Sequence, residues 1–418
     1  MTVPPPLKND CFALPPGVRW TPVDEALEMV KSRLAPVTAS ETIALSEALG
    51  RVLAAPVTAP RAHPPHANCA VDGYAVSGAH YGAGAHQVAL QDGRSAAGAP
   101  FAGVVPETAA LRVLTGANLP TGTDTVILQE DVVLKDGHIL FNGPLKPGAN
   151  ARRAGEDVMA GDSLLPAGHR LTPADLGLLA ATGVGQVEVR QKLRVAVLST
   201  GDELAEAGEI ARPDQIFDAN RPMLLATIAR LGHEPIDMGQ SPDDRAALSR
   251  YLSNAADKGD VILTSGGASA GDEDHMSALL SETGTMSLWR MAVKPGRPLA
   301  LGMWQGTPVF GLPGNPVAAL VCTLIFARPA MRLLAGEGWH IPEGLMLPAA
   351  FTKSKKAGRR EYLRARLNAG QVEVFPSEGS GRISGLSWAT GLVELSDEAQ
   401  SITPGTPVRY ISYADFGL

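Results

Sequence analysis

The sequence predicts a multidomain α/β protein: a doubly wound three-layer α/β domain, a small helical domain interrupted by an inserted β domain, and a C-terminal β-barrel-like domain. Three observations predict it. Between residues 190 and 335 short apolar runs alternate with amphipathic stretches, the pattern of parallel strands joined by right-handed crossovers. Residues 66–150 show only short strands broken by Gly and Pro. From Pro348 onward, short strands and turns return. The boundaries read as a flexible arm at 1–20, a discontinuous helical domain at 21–60 and 155–188, an inserted β domain at 61–154, an α/β domain at 189–336 and a β domain at 337–418.

Taken in order, residues 1–20 are proline-rich, and Thr21-Pro22 opens an amphipathic helix with Val23, Leu27, Val30 and Leu34 on one face. A second short helix is expected over Ser40–Leu49, stopped by Gly50, followed by an extended linker over Pro56–Pro65. The inserted domain carries strands near Tyr74–Ser77, Val88–Leu90, Leu111–Leu114, Thr125–Leu128 and His138–Phe141. Helical character resumes at Pro173–Ala181, a block expected to pack on the first helical block. In the α/β domain the strands are Leu193–Leu198, Pro235–Met238, Val261–Thr264, Met286–Ala292, Leu299–Met303 and Val309–Leu312. Its helices are Arg221–Leu231 capped by Asn220, Pro242–Ala256 capped by Ser241, Glu273–Glu282 and a long one from Pro316 to Leu334. The last domain reads as strands Glu361–Leu367, Gln371–Phe375, Leu392–Leu395 and Val408–Ile411.

Composition narrows the function. The 418 residues carry 36 Lys plus Arg against 43 Asp plus Glu, a net charge of −7 that argues against non-specific nucleic-acid binding. The three cysteines are dispersed, which argues against a disulfide framework or a thiolate metal site and fits a reducing, cytoplasmic setting. The N-terminus lacks a signal-peptide pattern, and no stretch reads as a membrane span of ~20 apolar residues. No Ser-His-Asp or Cys-His arrangement is apparent.

The chemistry gathers where strands end. Three apolar strands run into Gly-rich turns: Ser199-Thr-Gly-Asp-Glu203, Ser265-Gly-Gly-Ala-Ser-Ala-Gly-Asp-Glu-Asp274 and Leu312-Pro-Gly-Asn-Pro316. In a doubly wound sheet ligands bind beyond the carboxyl ends of the strands. Ser265, Gly266, Gly267 and Ser269 form a turn suited to close approach by an anion, although it matches neither a Walker A loop nor a dinucleotide fingerprint. Glu203 and Asp274 follow the first two of these strand ends and Asp243 follows the Pro235–Met238 strand; converging carboxylates repel unless a cation such as Mg²⁺ offsets them. Lys294-Pro-Gly-Arg297-Pro sets two cations on a turn that suits a phosphate or tetrahedral oxyanion. Each motif has a plainer reading as a solvated turn or a helix cap. Asp72-Gly73 reads as a tight hairpin turn, and the segments around Thr115 and Asp157 read as loops. The run Lys353–Arg366 reads as a solvated basic hairpin that could reach a phosphate or an acidic partner.

Together these segments resemble the molybdopterin molybdenumtransferases, the molybdate insertion enzymes related to the E domain of gephyrin. Asp72-Gly-Tyr-Ala, Thr115-Gly-Ala, Gly155-Glu-Asp157, Ser199–Leu204, Gly266–Asp274, Lys294–Pro298 and Leu312–Pro316 stand in that family's order and spacing. The resemblance implies an elongated homodimer whose cleft uses both chains. It further implies adenylylated molybdopterin and molybdate as substrates and Mg²⁺-dependent cleavage of the adenylate with release of AMP. On this model Glu203, Asp243 and Asp274 are catalytic and hold the metal. Asp72 and Asp157 act from the inserted side. Thr115, Ser265, Gly266, Gly267, Ser269, Lys294, Arg297, Pro313 and Pro316 bind substrate. A molybdopterin adenylyltransferase and apo-molybdoenzymes or their chaperones are the implied partners. Two other readings compete: the single-domain adenylyltransferase itself, and a non-catalytic dimeric carrier or scaffold.

Overall fold

A computed structural model describes residues 20–266, 275–282, 291–296, 299–379 and 381–418. Gly267, Ser269, Asp274 and Arg297 lie outside the described residues, as do the expected N-terminal arm and most of the strand expected at Met286–Ala292. The described chain divides into two compact units, 42–189 and the remainder, 20–41 with 190–418.

The larger unit is built on a five-stranded sheet in the order Glu234–Ser241, Arg194–Thr200, Val261–Ser265, Thr307–Leu312, Ala300–Trp304. The first four strands run parallel and the last is antiparallel. The Arg194 strand shows why the apolar runs are continuous. Val195 and Val197 face one core with Leu224, Ile228, Phe310 and Phe326, while Ala196 and Leu198 face another with Leu248, Leu252 and Ile262. A strand buried on both sides has no polar face to alternate. Register keeps the strand ends level: Ser199 pairs with Ser265, Thr200 with Ser241, and Ser265 with Leu312.

The helix Val23–Arg33 buries Val23, Ala26, Leu27 and Val30 in the first of these cores, so it packs on the α/β layers. Two expected caps shift. The helix after the Glu234 strand begins at Arg245, because Asp244 accepts from Ala247 N at 2.7 Å; Ser241 stays in the strand. Asp218, not Asn220, caps the helix Asn220–Arg230, accepting from the N–H groups of Asn220 and Arg221 at 3.1 Å. The long helix runs from Pro316 to Leu334 with a π-turn at Thr323–Ala327. Among the described residues this helix alone is long and apolar enough to cross a membrane, contrary to the expectation that no stretch approaches that length. Its burial inside the unit makes it a core helix.

The C-terminal sheet has the order Val293–Lys294, Arg360–Asn368, Gly391–Leu395, Pro407–Ser412, Leu345–Pro348, with Gln371–Val374 on the Arg360 strand. Its edge strand, Val293–Lys294, comes from the α/β segment and runs parallel to Arg360–Glu361. The basic run is therefore no solvated hairpin. Lys355 and Arg364 are buried, Arg360 pairs with Asp24 and Asp397, and Arg366 pairs with Glu373 beneath the Trp388 ring.

The smaller unit holds a six-stranded sheet ordered Thr125–Leu128, Gly73–Val76, Ala109–Val113, Gly84–Ser95, His138–Gly143, Val133–Lys135. Ser40–Ala44 is a strand followed by a 3₁₀ turn, where a helix was expected over Ser40–Leu49. Thr42 and Ile43 are β-branched, and Ile43 and Leu45 pack on a core of Leu53, Leu171, Leu179 and Val189; tertiary burial overrides local propensity. The Pro173–Ala181 helix carries a capping box between Thr172 and Asp175 and buries Leu179 in that core.

Candidate functional site

At the carboxyl edge of the five-stranded sheet a buried polar network joins the strand ends. Ser199 Oγ donates to Asp218 Oδ2 at 2.6 Å, and Asn220 Nδ2 donates to Ser265 Oγ at 2.6 Å and Gly314 O at 2.7 Å. Buried Arg221 donates to Asp218 and Asp237 and pairs with Glu206. Asn220 Oδ1 is buried without a hydrogen-bond partner among the described residues. Gly266 sits in this network at φ +94°, where a Cβ would lie 2.5 Å from Thr200 O, so only glycine fits. Its N–H donates to Leu312 O and Ser265 Oγ accepts from Asn220. These two expected anion-binding groups thus hold strand ends together.

The acids lie just outside this edge. Asp202 Oδ1 accepts from Asp243 N at 3.1 Å, which draws the first two strand ends together. Gly201 adopts φ +132°, and the Glu203 carboxylate folds back into the space a Cβ there would fill, with Oε2 2.3 Å from that position. Glu203 and Asp243 are exposed oxygen donors of the hard type that suits Mg²⁺. Among the described residues no three His, Cys, Asp or Glu side chains converge as a metal site; the third expected acid, Asp274, lies outside them.

Lys294 stands elsewhere on the same unit, at the mouth of a cavity of about 300 Å³ lined also by Pro295, Val317, Lys353, Phe375 and Glu378. The following glycine, Gly296, packs at φ +112° against the long helix, where a Cβ would lie 2.5 Å from Cys322 Sγ and 3.7 Å from Pro313 Cγ. Pro313 and Pro316 flank the turn in which Asn315 caps that helix, accepting from Val317 N at 3.2 Å. Lys294 Nζ donates to Glu378 Oε2 at 2.6 Å and lies 3.7 Å from Glu361 Oε2. Lys353 lies 3.1 Å from Glu361 Oε2 and also binds Glu378. Burial pushes the Lys353 ammonium down, and hydrogen bonds to Glu378 and Glu361 more than offset it, so the group stays charged. Sequence reasoning missed Lys353, Glu361 and Glu378 as a group because the two lysines lie on different strands and Glu378 lies 84 residues beyond Lys294.

In the smaller unit, Asp72 and Thr115 meet. Both the Thr115 N–H and its hydroxyl donate to Asp72 Oδ1 at 2.7 Å, and these bonds hold the carboxyl below its usual range. Asp72-Gly73 is therefore no hairpin turn: Gly73 begins a strand that pairs with Ala109–Val113 and Thr125–Leu128. Asp157 is exposed, its N–H bonded to His63 O at 3.1 Å. Cys69 and Cys322 are inert: burial pushes their thiols up to about 11 and about 12.

Three family models match the chain in sequence: the MoeA N-terminal region (domains I and II) over residues 21–183, the probable molybdopterin binding domain over 196–333, and the MoeA C-terminal region (domain IV) over 347–413. The chain belongs to the MoeA family. A molybdopterin molybdenumtransferase of Haemophilus influenzae is 36% identical over 394 residues, which cover 92% of this chain and 97% of that one. Molybdopterin molybdenumtransferase 2 of Mycobacterium tuberculosis is 33% identical, covering 88% and 94%. A crystal structure of a MoeA molybdopterin biosynthesis protein from Pyrococcus horikoshii superposes with a TM-score of 0.80 at 31% identity, covering 94% of this chain and 99% of that one. The MoeA architecture thus runs through both units of this chain, including the C-terminal region that holds Lys353 and Glu378 beside Lys294.

Proposed function

We propose that this protein is a molybdopterin molybdenumtransferase of molybdenum cofactor biosynthesis, inserting molybdate into adenylylated molybdopterin with Mg²⁺-dependent cleavage of the adenylate and release of AMP. The observation that carries the reading is the meeting of Lys294 and Lys353 at one cavity, in a chain that matches molybdenumtransferases almost end to end. Two ammonium groups that bind the two oxygens of one carboxylate suit a tetrahedral dianion. Phe351, Phe375 and Val317 give the same cavity apolar walls, which limit water around the anion and strengthen its attraction to the lysines.

The Glu203 and Asp243 carboxylates, with Asp274, are the groups that would hold Mg²⁺. When bound, the ion neutralises phosphate oxygens and draws charge from the phosphorus under attack. The protein's own part is placement. Asp202 orients the Asp243 backbone, Gly201 makes room for the Glu203 carboxylate, and Asn220 fixes the Ser265 and Gly314 turns relative to each other. Asp72, Thr115 and Asp157 serve the reaction from the inserted domain, in a homodimer whose cleft draws on both copies. The enzyme works in the cytoplasm, between a molybdopterin adenylyltransferase and the apo-molybdoenzymes or chaperones that take the product.

Glu203→Gln and Asp243→Asn test the assignment. Each is expected to lower Mg²⁺-dependent AMP release about 100-fold, the scale of losing an electrostatic group from a phosphoryl-transfer site. Full turnover in both variants would remove these acids from the mechanism.

A further inference from the structure

We propose that Gln240 is a positioning residue for the metal-binding acids: by holding the Gly201 carbonyl it fixes the turn that aims Glu203, and so sets how tightly Glu203 and Asp243 hold a divalent cation. The inference rests on the reading of these acids as Mg²⁺ ligands and adds to it a residue that acts through the backbone.

The strand Glu234–Ser241 carries one residue more than its neighbour. Val197 pairs with Asp237 and Ser199 with Gln240, so two steps along one strand answer three along the other. In an unbroken ladder Gly239 would stand opposite Ser199, and Gln240 would point to the other face of the sheet. The bulge brings Gln240 level with Ser199 instead. It is a held feature. Gly239 takes up the extra residue at φ +72°, its N–H donates to Asp237 Oδ1 at 2.8 Å, and Arg221 binds the same carboxylate.

From there the Gln240 carboxamide reaches across the strand ends and donates from Nε2 to Gly201 O at 2.6 Å. The same carbonyl accepts from Leu204 N at 3.3 Å, which closes the turn that contains Asp202 and Glu203. The Glu203 carboxylate folds back over Gly201, its oxygens 2.3 Å and 2.8 Å from where a Cβ would sit. What fixes the Gly201 peptide therefore fixes the direction of that carboxylate. Asp243 is tied to the same turn, because its N–H donates to Asp202 Oδ1 at 3.1 Å. Two hydrogen bonds from the second strand end thus hold the first. Both acids are exposed, and Mg²⁺ requires its oxygen ligands at ~2.1 Å in near-octahedral array. Ordering two free carboxylates would draw on the binding free energy; a turn already fixed by Gln240 lowers that cost.

The test is titration of the full-length protein, without pterin, with Mn²⁺ as the probe, read from the EPR signal of unbound Mn²⁺. It compares the wild type with Gln240→Leu, Glu203→Gln and Asp243→Asn, each with its thermal melt. Leucine keeps much of the volume of Gln240 and removes the donor. Gln240→Leu is expected to bind Mn²⁺ about fivefold more weakly, the equivalent of one hydrogen bond of ~1 kcal/mol, and the acid variants about tenfold or more weakly. In AMP release, Gln240→Leu is expected to need about fivefold more Mg²⁺ for the half-maximal rate and to come within about twofold of the wild-type rate at saturating Mg²⁺. A general loss of fold would not produce that split. Wild-type Mn²⁺ affinity in Gln240→Leu, with affinity lost in the acid variants, would overturn the role of Gln240 and leave the acids standing. Wild-type affinity in both acid variants, or a wild type that takes up no Mn²⁺, would overturn the metal reading and this inference together.

Discussion

Asp72 and Thr115 lie 43 residues apart, yet one carboxylate oxygen of Asp72 takes two hydrogen bonds from Thr115. Both bonds favour the charged carboxylate, so Thr115→Ala is expected to move the Asp72 titration upward toward the ordinary range, as carboxyl NMR would show. The sign for stability follows from the lowered value. The contribution is complete above pH ~4, where an unfolded aspartate titrates, and is lost as pH falls through the folded value. Sequence reasoning identified Asp72 and Thr115 only through family resemblance, since spacing offered a hairpin and a loop. Lys294 was legible as a cation on a turn, but not its partners. Lys353 and Glu378 meet it only because Val293–Lys294 joins the edge of the C-terminal sheet, a crossing that no local pattern encodes.

At the scale of the element, the strand–turn–helix units of the α/β domain were readable because burial on both faces turns strands into uninterrupted apolar runs. Helix starts were less so. Ser241 was the expected cap of the helix after the Glu234 strand, and the chain uses Asp244 instead. Asp244→Ala is expected to cost about 1 kcal/mol in urea denaturation, the usual loss of an N-cap. Gly266 binds its element to a neighbour. Gly266→Ala would force a Cβ to 2.5 Å from Thr200 O at a positive φ, and a loss of about 3 kcal/mol is expected in the same experiment. The Ser40–Leu49 segment misled because β-branched residues facing a core choose a strand whatever their helical spacing.

Over the whole molecule the fold class was legible and the long-range joints were not. Arg328 shows the kind of joint that stays hidden: buried in the long helix, it donates to Phe416 O at 2.6 Å and to Asp415 O at 3.3 Å, tying the C-terminal turn to the α/β layers. Arg328→Met would leave those carbonyls short of a donor, and a destabilisation of about 3 kcal/mol is expected, together with faster hydrogen exchange in the last strand. The basic run Lys353–Arg366 teaches the same lesson. Its charges looked like solvated surface, but Lys353, Arg360 and Arg366 pair with Asp24, Glu361, Glu373, Glu378 and Asp397, while Lys355 and Arg364 donate to backbone carbonyls.

The proposed reaction couples cleavage of an adenylylated pterin to the transfer of molybdenum. The most direct test mixes the purified protein with adenylylated molybdopterin, molybdate and Mg²⁺, then measures AMP released and molybdenum bound to the pterin. Stoichiometric AMP together with molybdenum-loaded pterin is the predicted result. Tight binding of the pterin with no AMP released would contradict it and make the protein a carrier.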